Sequence, residues 1–268
     1  MSVHDELGKR MKMYESVSKG TLMRRTPVIV RVDGRSFHFW TRGFKKPFDT
    51  ILIDTMQETM KFMCENMQGA VLGYQQSDEI TIVLIDYQKI TSDAWFNNEV
   101  QKICSISASL ATLGFNTAYS RNIQKIQLPL TLEYMSDEKQ SAFLKYYHTY
   151  HDRANEAMFD ARCFNLPKEE VTNCIYWRQL DATRNSIQSV GQAYFSHNQL
   201  DNKTCNDIQN MLLTEKNINW NDFPTTQKRG SCCIKKDGRW IIDNEIPIFK
   251  QEGRKYIDNL IFLKEEQI

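Results

Sequence analysis

The sequence predicts an α+β fold whose elements run strand, helix, strand, strand, helix, strand. Three observations carry this. Apolar, β-rich runs at Pro27–Val32, Val71–Tyr74 and Ile80–Ile85 are bounded by turn-forming residues. Leu52, Met56, Met60, Met63 and Met67 recur at helical spacing, as do Phe96, Val100, Ile103, Ile106, Leu110 and Leu113. Ala157–Phe164 alternates and then meets Pro167, which gives the last strand. This is the split βαβ order of ferredoxin-like sheets, in which the first and third strands are neighbours.

Taken in order, Met11–Arg25 reads as a helix and a basic approach to the first strand. Lys19, Arg24 and Arg25 there either meet phosphate or form a solvated face. The first strand breaks off at Asp33-Gly34-Arg35-Ser36-Phe37-His38, a small-residue turn whose backbone donors can approach a triphosphate closely. Lys45, Lys46 and Pro47 precede a helix that begins near Asp49. Gln75-Gln76-Ser77-Asp78-Glu79 leads into the third strand. Small residues of the second helix, among them Ser105, Ser107, Ala108 and Ala111, let its backbone lie close to a sheet.

Residues 121–157 form a polar, helix-prone insertion rich in Tyr and His. His148 and His151 read there as an aromatic helix surface suited to a subunit contact, since no third metal ligand accompanies them. Pro167, Glu169 and Glu170 open a helix through Tyr176–Ser196 with a stripe of Thr183, Ile187, Val190 and Tyr194. Trp177 on it reads as a packing residue before a base-stacking one. Beyond Leu200 come a helix, a loop at Asn217–Pro224, a hairpin turning at Asp237-Gly238 and a frayed acidic end. The division expected is a catalytic domain at 1–165 and a helical and hairpin region at 166–268 that serves RNA binding and assembly.

The chain has 268 residues, 34 basic against 33 acidic, for a net charge of +1. It is therefore no general magnet for nucleic acid, and any RNA footprint must be local. The densest basic cluster is Lys228-Arg229 with Lys235-Lys236. Met1–Lys12 lacks an apolar core and no later apolar run suffices to span a bilayer, so a cytoplasmic protein without membrane contact is expected. Seven cysteines without a CxxC pair read as free thiols.

In the split βαβ topology, Asp33 leaves the first strand where Asp78 and Glu79 enter the third. Carboxylates brought together repel unless a cation neutralises them, and an all-oxygen donor set favours Mg²⁺, which takes its remaining ligands from water and phosphate. That is the chemistry of two-metal nucleotidyl transfer. The alternative is that Asp-Gly and Ser-Asp are only turn formers.

Several ordered blocks resemble the tRNA(His) guanylyltransferase family: Arg31-Val32-Asp33-Gly34-Arg35-Ser36-Phe37-His38, Lys46-Pro47-Phe48-Asp49, Gln76-Ser77-Asp78-Glu79, Phe159-Asp160-Ala161-Arg162, Tyr176-Trp177-Arg178-Gln179 and Lys228-Arg229-Gly230. The resemblance implies a polymerase-palm sheet and a reverse-direction polymerase that adds nucleotides to the 5′ end of tRNA. It implies two Mg²⁺ ions held by Asp33, the Gly34 carbonyl and Asp78, with Glu79 shaping the site or assisting ligation. Gly34, Arg35, Ser36, Phe37 and His38, together with Lys46, Ser77 and Lys102, are the expected contacts to ATP, GTP or another nucleoside triphosphate. Read alone, His38 fits an ordinary loop histidine and Lys102 a solvated one. Arg178, Arg184, Asn185, Lys228 and Arg229 are the expected tRNA contacts, and the family implies a homotetramer.

Two departures matter. Eukaryotic members carry His-Ile-Asn-Asn where this chain has Thr183-Arg184-Asn185-Ser186, and Gln75 stands where glycine is usual. The first points to the guanylyltransferase-like branch that repairs truncated tRNA 5′ ends against the complementary strand. Addition of a single G to tRNA(His), a nucleotide cyclase and a non-catalytic tRNA-binding module are the competing readings.

Overall fold

The computed structural model describes residues 3–127, 129 and 134–263. Helix α1 (Val3–Ser16) precedes β1 (Val28–Gly34), the short helix α2 (Phe37–Trp40), α3 (Thr50–Asn66), β2 (Ala70–Gln76) and β3 (Glu79–Leu84). Then follow α4 (Val100–Ile123), α5 (Asp137–His151), β4 (Phe159–Asn165) and α6 (Lys168–Tyr194). The chain continues through α7 (His197–Leu200), α8 (Cys205–Lys216), α9 (Thr225–Arg229), β5 (Ser231–Lys236), β6 (Arg239–Asp243) and α10 (Lys255–Ile261).

All six strands join one antiparallel sheet in the order β4-β1-β3-β2-β5-β6. The first four positions are the split βαβ core, and β1 and β3 are neighbours as the order of elements predicts. Successive side chains of β1 alternate between two buried faces. Val28, Val30 and Val32 pack with Met56, Met60 and Met63 of α3 and with Ile103 and Phe115 of α4. Ile29 packs on the other side, with Val171 and Ile175 of α6 and Ile257 and Ile261 of α10. Burial on both faces is why these strands read as continuous apolar runs.

Helix α3 starts where the sequence places it, because the Asp49 carboxylate caps it by accepting from the Leu52 amide at 3.0 Å. The β5–β6 hairpin turns at Asp237-Gly238, as predicted, with Lys236 opposite Arg239. Among the described residues no helix is long and apolar enough to cross a membrane.

The structure departs from expectation in several places, beginning with α1, which ends at Ser16 although the sequence reads as a helix carried on from Met11 toward Arg25. Phe96 is not part of the second helix: Phe96, Asn97 and Asn98 all take left-handed backbone angles, and α4 begins only at Val100. Trp177 is 53% exposed instead of packed. Tyr194 is also exposed, because α6 ends there and only Ile187 and Val190 of the predicted stripe reach the cluster formed with α8. The chain beyond the hairpin forms α10, whose Ile257 and Ile261 are fully buried against the sheet, and the acidic end expected at its close lies outside the described residues.

Gly230, at the entrance to β5, has φ +84°, and a Cβ there would lie 2.1 Å from the Gln75 carbonyl oxygen of β2. The neighbour is backbone and cannot move without breaking the β2–β5 pairing. Gly230→Ala is expected to lower the unfolding free energy by about 2–4 kcal/mol, the sum of left-handed strain and overpacking. A urea midpoint equal to wild type would contradict this.

Candidate active site

β1 ends and β3 begins at the same end of the sheet, with Asp33 in register with Glu79. The Gly34 amide donates to the Asp78 carbonyl at 3.1 Å and closes the pair. A side chain at position 34 is excluded, since a Cβ would fall 2.3 Å from the Phe37 ring. That ring is buried, with centroids of Trp40, Phe115 and Phe159 at 5.0, 5.3 and 5.1 Å. Aromatic packing thus pins the turn after β1, while Ser36 (φ 57°) and Ser77 (φ 49°) hold left-handed angles that cost a non-glycine residue energy. Between the two turns lies a cleft of about 410 Å³ lined by Gly34, Ser36, His38, Leu52, Ser77 and Asp78. A smaller pocket of about 150 Å³ adjoins it, sharing Leu52 and Ser77 and bringing in the amides of Gln76, Asn185 and Gln227.

The acids fall into two classes. Residues directly opposite one another in antiparallel strands project on one face, so Asp160 of β4, Asp33 of β1 and Glu79 of β3 form a row. Arg178 of α6 grips both Glu79 oxygens, at 2.7 and 2.8 Å, and also reaches Asp181 at 3.0 Å. Arg162 takes Asp160 at 3.1 Å. Among the described residues neither Asp33 nor Asp78 has an ion-pair partner. Burial, and then the negative charge of Asp33, push Asp78 up to about 6. Burial and then the charge of Asp160 push Asp33 above the usual carboxylate range. A cation shared by Asp33 and Asp78 would relieve both effects.

No cluster of three or more His, Cys, Asp or Glu side chains able to hold a metal ion occurs among the described residues. A site of two carboxylates and a backbone carbonyl suits Mg²⁺, which keeps waters and binds substrate phosphates. His148 and His151 form no metal pair: His148 faces Asp152 at 3.4 Å, and His151 stacks on Tyr147 with centroids 3.9 Å apart.

Of the residues expected at the site, Asp33, Gly34, Ser36, His38, Ser77 and Asp78 come together at the cleft or its rim. Phe37 serves through its buried ring, and only its backbone faces the turn. Arg35 is exposed, its amide tied to the Met158 carbonyl at 2.8 Å. Lys46 is exposed beside Pro47, which lines the smaller pocket. Lys102 is not brought here. It pairs with Glu99 in the first turn of α4, whereas the α4 residue that meets Phe37 is Phe115, roughly 20 Å further along the helix.

Arg178 is not available to tRNA, because its guanidinium is buried and occupied by Glu79 and Asp181. Lys228 is drawn onto the Asn221 carbonyl and lies 5.7 Å from the Trp220 ring. Arg229 offers its carbonyl to Tyr74 at 2.7 Å. Arg184 is exposed beside Asp181, and Asn185 lines the smaller pocket. Sequence reasoning gave Asp160 no role, although the Phe159-Asp160 position in the last strand put it within one register of Asp33.

The family model for tRNAHis guanylyltransferase matches residues 8–167, more than half of the chain. The chain belongs to the tRNA(His) guanylyltransferase family. It is a family of nucleotidyltransferases. Among solved members, a bacterial tRNA(His) guanylyltransferase-like protein in complex with ATP is 43% identical at a TM-score of 0.81, covering 96% of this chain and 100% of that one. A bacterial guanylyltransferase-like protein in complex with GTP is 36% identical at a TM-score of 0.72, with the same coverage. An uncharacterized protein of Acanthamoeba polyphaga mimivirus is 30% identical over 249 residues, 87% of this chain and 78% of its own length. The tRNA(His) guanylyltransferase of Saccharomyces cerevisiae is 22% identical over 223 residues, 78% of this chain and 82% of its own.

Removing one partner of the Arg178–Glu79 pair leaves a buried charge uncompensated. Arg178→Met is expected to lower stability by about 3–5 kcal/mol, and the double variant Arg178→Met with Glu79→Leu to recover most of that loss. Chemical denaturation of both decides it, and additive losses would show that the pair is not a clamp.

Proposed function

We propose that this family member is a template-dependent 3′-5′ nucleotidyltransferase that adds nucleotides to the 5′ end of truncated tRNA after ATP-dependent activation. The observation that carries the reading is the pair Asp33 and Asp78, neither held in an ion pair among the described residues, with Asp78 lining the cleft, while the flanking Asp160 and Glu79 each hold an arginine.

The cleft accepts a triphosphate, with the Gly34–His38 and Ser77 turns supplying backbone contacts and Lys46 near the rim. The adjoining amide-lined pocket accommodates the base. Asp33, Asp78 and the Gly34 carbonyl would hold two Mg²⁺ ions, which when bound supply activation of the attacking oxygen and stabilisation of the leaving phosphate. In the first stage the tRNA 5′-monophosphate attacks the α-phosphate of ATP, giving a 5′-adenylylated end and pyrophosphate. In the second, the 3′-hydroxyl of an incoming triphosphate attacks that end and AMP leaves. The residues of this chain orient both substrates at the acid pair, and Arg178 keeps Glu79 from competing for the same cations. Base identity comes from pairing with the complementary strand, in keeping with Thr183-Arg184-Asn185-Ser186 in place of His-Ile-Asn-Asn. Residence in the cytoplasm and assembly as a homotetramer belong to the same reading.

The test is to incubate the protein with ATP, GTP, Mg²⁺ and a tRNA transcript lacking its first nucleotide. Extension at the 5′ end, matching the opposing strand and stopping when the stem is complete, is expected. Chelation by EDTA should abolish it and added Mg²⁺ restore it. Asp78→Ala is expected to lose at least about 100-fold in rate, the scale for losing one preorganised electrostatic group, while binding tRNA within a few-fold. A single untemplated G would reassign the protein to tRNA(His) maturation. A cyclic nucleotide, or RNA binding without product, would overturn the reading.

A further inference from the structure

On the sheet face opposite the cleft, β1 and β4 form a shelf beside α6. Arg31 of β1 lies directly opposite Arg162 of β4, two residues from the Asp33–Asp160 pair and on the same face. Like charges placed opposite one another destabilise a sheet, and here Asp160 beside Arg162 and Glu79 beside Arg31 offset the repulsion. Arg31 Nε is buried without a hydrogen-bond partner, and its nearest acid, Glu79, is 3.9 Å away and held by Arg178. Above the shelf stands Trp177, 53% exposed, while Ile175 and Gln179, two residues to either side and so on another face of the helix, are buried. The guanidinium of Arg178 lies 4.6 Å from its ring centre and that of Arg31 lies 5.7 Å away. Two arginines therefore fix an aromatic ring in place while leaving much of it in solvent.

We propose that Trp177 is the stacking platform for an unpaired nucleobase at the 5′ end of the RNA substrate. The proposal rests on the reading above that RNA is bound at this end of the sheet. Arg31 is two strand residues, about 7 Å, from Asp33, so a base on Trp177 sits within a nucleotide or two of the acid pair. The triphosphate cleft reaches α3 at Leu52, and its adjoining pocket meets α6 only at Ala182, Asn185, Ser186 and Ser189, more than a turn beyond Trp177, which leaves the Trp177 end of α6 for the second substrate of a two-substrate reaction. Stacking is indifferent to base identity, which suits a substrate whose end changes with every addition. Arg31 and Arg178 act here as positioning residues for the ring.

The experiment compares wild type with Trp177→Phe, Trp177→Leu and Trp177→Ala, measuring affinity for a tRNA transcript lacking its first nucleotide, for a blunt RNA duplex and for ATP. Trp177→Phe is expected to bind the tRNA within about threefold of wild type. The Leu and Ala variants should weaken it by roughly 5- to 150-fold, the range of one lost base stack. Affinity for the duplex and for ATP should not move. The proposal falls if Trp177→Leu binds the tRNA as Trp177→Phe does, if duplex affinity drops equally, or if sedimentation shows that the substitutions change the oligomeric state, which would make Trp177 a contact between protein chains. The Phe and Leu variants alone decide the matter should Trp177→Ala not fold. If wild-type protein binds no RNA, the functional reading fails first and this one with it.

Discussion

The antiparallel register between β1 and β3 is the constraint on which everything else in the molecule depends. It sets Asp33 against Glu79 and lets the Gly34 amide reach the Asp78 carbonyl. Because strand side chains alternate, a slip of one residue would send Asp33 to the α3 face and bury Val32 among the charges of α6. The apolar faces forbid that slip: Val28, Val30 and Val32 fit the methionine-rich surface of α3, and Ile29 fits the surface of α6. Hydrophobic burial thereby fixes the position of charged groups to which it contributes nothing directly.

Charge compensation is distributed with the same economy. Each of the two outer acids in the row has its own arginine, and among the described residues neither Asp33 nor Asp78 has an ion-pair partner. A buried ion pair such as Arg178–Glu79 is weak support for stability in itself, since desolvation offsets much of the attraction. Its effect is to tie α6 to β3 at the acid pair. The far half of the same helix packs on α8 through Ile187 and Val190, so the C-terminal helices are mechanically joined to the centre of the sheet.

Much of this was legible in the residues. Helical periodicity, the Asp49 cap and the Asp-Gly turn report local physics, and each appeared where expected. The acid pair followed from topology alone. What stayed hidden were facts of the third dimension. Arg178 and Lys228 look like surface cations in a linear chain, and only packing shows one gripping Glu79 and the other folded back on Asn221. Trp177 was misplaced for the converse reason: a tryptophan in mid-helix usually packs, and nothing in its neighbours reveals that two guanidinium groups hold it outward. Lys102 was assigned from its place at the start of the second helix, and the length of α4 carries it away from the cleft.

The β5–β6 hairpin adds to β2, the strand at one margin of the split βαβ core. A boundary drawn near residue 165 therefore cuts through a continuous hydrogen-bonded ladder instead of a linker. A fragment ending there would present β2 as a bare, sticky rim and leave Glu79 a buried anion without its guanidinium. The residues before and after that boundary are thus obliged to be inherited, expressed and purified together.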